Sequence, residues 1–478
     1  MDPTRRAMIL GSAALAITDS RASGRSDSLP DWLAAHARAI RTVDPQDEDF
    51  ADLEPVAAAI GKSRVVQLGE PSHNAGTCFA AKARLIKFLH QRLKFDVVVW
   101  ESGFYDVGLA DAALRAGENP STAAQRGILR NWSGSEECRP LFEYAQKSHA
   151  SVTPLAMAGF DASFTSLFAN LAVDLRQFAK LPTRPPLQHE VTASVEDVID
   201  SFNGITRYVE GLNALHATLT KTGGDARKAA VEQWERETGA ALRPNRQILE
   251  RFTAAQVRLA EILRANEREF ARASNPRQVG FLRRIVENLA AQAENLYQRF
   301  GSDAPPETDG GLAAQNRRDA CNAANLRWLI EHGYPGRKLI VWAHNAHVMN
   351  AYYEAPNWKT VRLDPAANTM KPHGVFLADW LGRDLYTIGF TAYEGEDGWK
   401  GLGASPIPTA REGSIEGQLQ KLGHSYAFLD LRKARGPLRQ AQTMRVPKYD
   451  EVEIADATRP YNGLFFIARM ERGTLIQA

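Results

Sequence analysis

Cysteine is scarce in this chain. Cys78, Cys138 and Cys321 are the only three in 478 residues, they lie far apart, and no C-x-x-C pair exists. That excludes a zinc ribbon and argues against a disulfide framework. Each cysteine reads as a small buried hydrophobe, because no sequence neighbour would depress a thiol pKa. An excess of one charge is missing too: 58 Lys and Arg face 56 Asp and Glu, with no dense basic run. Nucleic acid therefore has no electrostatic footprint. No stretch approaches the roughly 20 apolar residues that a membrane-spanning helix needs. Several catalytic signatures are absent as well. Ser72 lacks a G-x-S-x-G elbow, and Gly69 and Gly401-Leu-Gly403 belong to no G-x-G-x-x-G turn. The helical H-E-x-x-H spacing of many zinc hydrolases does not occur, and there is no internal repeat.

What is present is ordinary globular composition, 44% hydrophobic and 24% charged. The length calls for one large domain with a substantial insertion, or two domains. Arg5 and Arg6 precede a short apolar stretch, Met8 to Ile17, and then Gly24, Ser26 and Ser28. This layout suits a twin-arginine export signal over residues 1–28, with a ragged N-terminus on a cytoplasmic protein as the alternative.

Arg64 to Gly69 is an apolar run ending in glycine and reads as a buried strand. Phe79, Leu85, Ile86, Leu89 and Leu93 follow at helical spacing, and Phe95 to Trp100 is a β-branched run of the kind buried on both faces. Strand, helix, strand in this order is a βαβ unit and implies a parallel sheet. A third strand is expected over Thr153 to Gly159. From residue 163 to about 304 the pattern is helical, with long helices expected over Val191 to Leu219, Ala226 to Ala273 and Gln278 to Phe300. Strands return at Lys338 to Ala343, Leu385 to Phe390, Tyr426 to Leu429 and Leu464 to Ala468. The expected fold is α/β: a central, mostly parallel sheet flanked by helices, with a large all-helical region inserted. The core would comprise residues 29–162 and 305–478, and the insertion residues 163–304.

Polar clusters stand directly after three of these strands: Glu70-Pro71-Ser72-His73, Glu101, and His344-Asn345-Ala346-His347. Ligands of open parallel sheets bind outside the carboxyl ends of the strands, so these residues would converge on one rim. Charged groups placed there are costly to bury unless paired or functional. A histidine in such a cluster can act as general base on water, a carboxylate can fix its tautomer, and a second histidine can steady an oxyanion. Lys82, on the helix after His73, and Asp161, after the third strand, are further candidates. The same Glu and His side chains also suit a metal-dependent hydrolase. A biosynthetic enzyme forming an ester or ring, or a binding protein using the pocket without hydrolysis, fits these residues too.

Leu68-Gly-Glu-Pro-Ser-His73, Phe95 to Glu101 and Val341-Trp-Ala-His-Asn-Ala-His347 together resemble the erythromycin esterase family, in family order and spacing. Gly159-Phe-Asp161, Arg318-Asp319 and the 374–389 region are similar as well. The resemblance implies an α/β hydrolase of an ester or macrolactone, metal-independent and without cofactor. His73 would activate water, with Glu70, Glu101, His344 and His347 completing the site. Lys82 stands where the family often has a basic residue; with Asp161 and Asn345 it is assigned to substrate binding. Two departures bear on the substrate: Asn74 replaces a usual glycine, and Ala75-Gly76-Thr77 replaces a segment in which many macrolide esterases carry a glutamate. The expected partner is a small ester or lactone, with neither nucleic acid nor a membrane span.

Overall fold

The computed structural model describes residues 28–164, 168–182, 184–219, 224–301, 309–354 and 360–476. The twin-arginine segment and the boundary expected at 304/305 lie outside the described residues. No helix among the described residues is long and apolar enough to cross a membrane.

Nine strands form the main sheet: β1 (Arg38–Ile40), β2 (Val65–Leu68), β3 (Val97–Gly103), β4 (Ala156–Asp161), β5 (Leu339–Trp342), β6 (Leu385–Trp399), β7 (Gly403–Ile407), β8 (Tyr426–Asp430) and β9 (Gly463–Met470). Their order is β1-β8-β9-β6-β2-β5-β3-β4, with β7 paired to β6. Every ladder from β9 to β4 is parallel, whereas β1–β8, β8–β9 and β6–β7 are antiparallel. The mostly parallel α/β sheet expected from the sequence is the one observed.

The central strands are mostly apolar, apart from Gln67 in β2 and the polar carboxyl end of β3, because both faces are covered. Alternate side chains point to opposite faces of a strand. Val65, Val97, Val99, Leu339 and Val341 accordingly enter one core, with residues of the helices that follow β4. Val66, Val98, Trp100, Ile340 and Trp342 enter a second core with Phe79, Ile86 and Leu89. Those last three belong to α1 (Gly76–Leu93). At roughly 1.5–3 kcal/mol for each buried aliphatic side chain, this double coverage is the principal source of sheet stability.

Between β4 and β5 the long elements are α2 (Pro185–Thr218), α3 (Arg246–Ala265), α4 (Pro276–Phe300) and α5 (Asp309–Trp328). The single helix expected over Ala226 to Ala273 is broken into shorter pieces. Pro244 cannot donate to a helical ladder, and Asn245 restarts the chain as the cap of α3, accepting from the Ile248 amide at 3.0 Å. The third strand likewise begins later than expected, at Ala156, after Pro154. Downstream, α6 (Asn345–Val348) is one short turn after β5, and α7 (His373–Leu381) precedes β6.

The strand order places the chemistry. Although β5 comes late in the chain, it lies between β2 and β3. The carboxyl ends of β2, β5, β3 and β4 are therefore four neighbours along one rim.

Candidate active site

Close backbone stitching holds the ends of β2 and β5 together. The Asn345 amide donates to the Glu70 carbonyl at 2.7 Å and Ala343 donates to Leu68 at 3.2 Å. Gly69 permits this approach, since a Cβ there would lie 2.1 Å from Asn345 Oδ1. The Asn345 side chain is fully spent on the protein. Its Nδ2 donates to Phe390 O and Pro447 O at 2.7 and 3.0 Å, and its Oδ1 accepts from the Phe390 amide. It therefore fastens the rim from behind and offers no free atom to a substrate.

Glu70 is fully buried and carries three partners. Oε1 accepts from His73 Nδ1 at 2.8 Å and from the Trp132 indole at 3.0 Å, and Oε2 accepts from Lys82 Nζ at 2.8 Å. Lys82 is buried as well, 4.0 Å above the Trp342 ring. It binds the carboxylate instead of standing free in a cleft. His73 is the open end of this chain of contacts, with its side chain 34% exposed. Nδ1–H is committed to Glu70, while Nε2 has no hydrogen-bond partner among the described residues. Burial lowers the His73 pKa, but the Glu70 hydrogen bond and the Glu101 charge outweigh it and hold the imidazole above its ordinary value.

His344 lies between the other rim histidines, with ring centroids 5.2 Å from His73 and 6.5 Å from His347. Both of its nitrogens are engaged. Nδ1 accepts from the Ala346 amide at 3.0 Å, capping α6, and Nε2–H donates to Pro71 O at 3.1 Å. One accepting and one donating nitrogen define a neutral imidazole. Burial, reinforced by repulsion from His73, keeps its pKa well below the ordinary value.

His347 forms the second half of the site. Nδ1 meets Asp319 Oδ1 at 2.9 Å and Nε2 faces Glu101 Oε1 at 3.4 Å. Burial alone would lower its pKa, but Asp319 and Glu101 together raise it to about 9. Glu101 also accepts the His344 amide at 2.7 Å and lies 3.7 Å from Arg318. Burial would push its carboxyl up; His347, His73 and Arg318 hold it well below the usual carboxylate range. Asp161, at the end of β4, is paired through both oxygens with Arg318.

Four residues at this rim had no role assigned from the sequence: Trp132, Arg318, Asp319 and His373. Asp319, Asn322 and Asn325 share one buried face of α5. Asn322 accepts from the Ala162 amide at 2.8 Å and Asn325 donates to Phe160 O at 2.9 Å. These two contacts dock α5 on the end of β4 and carry Arg318 and Asp319 to the rim. The i, i+3, i+6 spacing of the polar face was the available signal. His373 begins α7, and its amide donates to Asp319 Oδ1 at 2.9 Å. Asp319, His347 and His373 present donor atoms within 4.8 Å of one another, a set able to hold a metal ion.

The family model described as erythromycin esterase matches residues 90–464, more than half of the chain. The match begins after His73, so the Glu70–His73 pair stands on its geometry. A Bacillus subtilis (strain 168) protein named as a hydrolase, YbfO, is 25% identical over 420 residues, covering 86% of this chain and 83% of its own. Erythromycin esterase type II of Escherichia coli is 21% identical, covering 88% and 93%. A solved structure of a Bacillus cereus protein superposes with a TM-score of 0.69 at 20% identity, over 95% of this chain and 99% of that one. At that identity the likeness speaks for the fold.

Proposed function

The chain belongs to the erythromycin esterase family, and from that premise we propose that it cleaves an ester or lactone bond with water activated by His73. The observation that carries the reading is the state of that one imidazole: Nδ1 is fixed on a buried carboxylate at 2.8 Å, and Nε2 is free at a partly exposed rim. Nε2 takes a proton from water as the oxygen attacks the carbonyl carbon. The same proton then passes to the leaving alkoxide as the carbon–oxygen bond breaks, which returns His73 to its neutral form. Glu70 keeps the proton of Nδ1 in place and stabilises the imidazolium. Trp132 and Lys82 hold Glu70. His347, protonated at neutral pH, offsets the Asp319 and Glu101 carboxylates, whose bare charge would repel the oxyanion that forms on the carbonyl oxygen. His344, with no free nitrogen, positions the two.

Where many macrolide esterases carry a glutamate, this chain ties its backbone to the C-terminal segment: Gly473 donates to Asn74 O at 2.9 Å, and the Glu471 amide donates to Thr77 Oγ1 at 2.9 Å. The test is mass spectrometry of a panel of macrolides and aryl esters incubated with wild type and His73→Ala. Addition of one water to a panel member by wild type alone supports the proposal. Turnover that survives in His73→Ala, or no turnover of any ester, overturns it.

A further inference from the structure

Gln67 settles the tautomer of His373. Its side-chain Nε2 donates to Thr387 Oγ1 at 2.9 Å and to Val348 O at 3.3 Å, so its Oε1 is the acceptor facing His373 Nε2 at 3.1 Å. The His373 proton is therefore on Nε2, and Nδ1 is a bare lone pair. That atom is buried and has no hydrogen-bond partner, and Asp319 Oδ2 is in the same condition. The His373 Nδ1 lone pair lies 3.8 Å from Asp319 Oδ1, and His347 Nδ1 lies 2.9 Å from the same oxygen. The two imidazoles are parallel within 3°.

We propose that Asp319, His347 and His373 form a binding site for one divalent transition-metal ion of the zinc class. Three observations meet here. Ligands roughly 2.0–2.2 Å from a tetrahedral ion stand about 3.4 Å apart, and the separations of 2.9 and 3.8 Å bracket that spacing. Metal-bound histidines almost always direct their outer ring nitrogen to an acceptor. Here His347 Nε2 faces Glu101 and His373 Nε2 faces Gln67 Oε1. The charge also balances. Glu101, Asp161 and Asp319 meet one guanidinium, Arg318, which leaves two negative charges uncompensated. A divalent ion cancels both. The outlying Glu70–Lys82 pair is neutral by itself.

This site does not depend on ester hydrolysis, and its test uses no substrate. The full chain, stripped with EDTA and dialysed, is titrated calorimetrically with Zn²⁺ alone, and with Co²⁺ while the visible spectrum is recorded. Wild type and His73→Gln are expected to bind one equivalent, with the d–d bands of a low-coordinate cobalt site. His373→Gln is expected to bind at least about 100-fold more weakly. Gln67→Ala keeps all three ligands and removes only the outer partner of His373, and is expected to weaken binding roughly 10–100-fold. Circular dichroism shows that each variant is folded. Sub-stoichiometric uptake by wild type, or equal affinity in wild type and His373→Gln, overturns the proposal. Esterase failure with intact zinc binding sinks the catalytic reading alone, and the reverse result sinks only this one.

Discussion

His73 and His347 are built alike and behave differently. Each holds a buried carboxylate through Nδ1, at 2.8 and 2.9 Å. Glu70, however, divides its charge among His73, Trp132 and Lys82. His347 lies between two carboxylates, Asp319 and Glu101, and its side chain is only 15% exposed against 34% for His73. The compensated carboxylate orients its histidine and, with Glu101, holds its pKa above the ordinary value. The doubled carboxylates make the other histidine a persistent cation, with a pKa of about 9. A histidine's role is thus set less by its carboxylate than by what else that carboxylate binds.

The largest test of this contrast is to remove each imidazole in turn. With a substrate in hand, His73→Gln should lower kcat/KM by roughly 10²–10⁴, the usual yield of a general base. His347→Gln should cost about 10²–10³, because Asp319 and Glu101 are then left uncompensated beside the forming oxyanion. The pH profile separates the two. His73 must be neutral to accept a proton, so activity in EDTA-treated protein rises as pH passes through a pKa above the ordinary 6.5. His347 must be charged, so activity falls as pH passes about 9. His347→Gln should lose the alkaline limb and keep the acid one. If both variants keep the wild-type profile, the division of labour is wrong.

A smaller effect should come from Asn345, which fastens the turn carrying His347 while leaving the Glu70 contacts untouched. Asn345→Leu removes three buried hydrogen bonds and strands the backbone groups of Phe390 and Pro447. An unsatisfied buried group costs about 1–3 kcal/mol, so a loss of about 3 kcal/mol is expected in urea unfolding. The alkaline limb should shift in this variant, because the groups around His347 move. An unchanged midpoint would show that the turn is held elsewhere.

Much of the rim was legible in the sequence because buried parallel strands are near-continuous apolar runs, and a charged residue directly after such a run stands out. Glu70, Glu101, Asp161, His344 and His347 all announced themselves in this way. Asp319 and His373 did not. Asp319 lies on α5, and only the docking of Asn322 and Asn325 onto β4 turns that polar face inward. A polar helical face is normally read as solvated. His373 precedes β6 instead of following a strand, so the strand-end rule passes over it. The roles of Lys82 and Asn345 escaped for another reason: residue type and position gave their neighbourhood but not the direction of the side chain. Both turn inward, onto Glu70 and onto backbone.

Trp132 offers the finest test of the comparison, since its indole and His73 share one oxygen of Glu70. Trp132→Phe keeps an aromatic ring against His73, whose centroid lies 5.2 Å away, and deletes the donor. Glu70 then loses part of its compensation and pulls harder on the His73 proton, so the His73 pKa rises further. A hydrogen bond to a charged group is worth about 1.5–3 kcal/mol, of which only a fraction reaches the imidazole. The acid limb should move up by about half a pH unit, and kcat/KM on the acid side of that limb should fall about threefold and recover at higher pH. A merely structural role for Trp132 would lower activity equally at every pH. A limb that stays where it is would mean that Lys82 alone sets the charge on Glu70, and that the indole is no part of the compensation that separates His73 from His347.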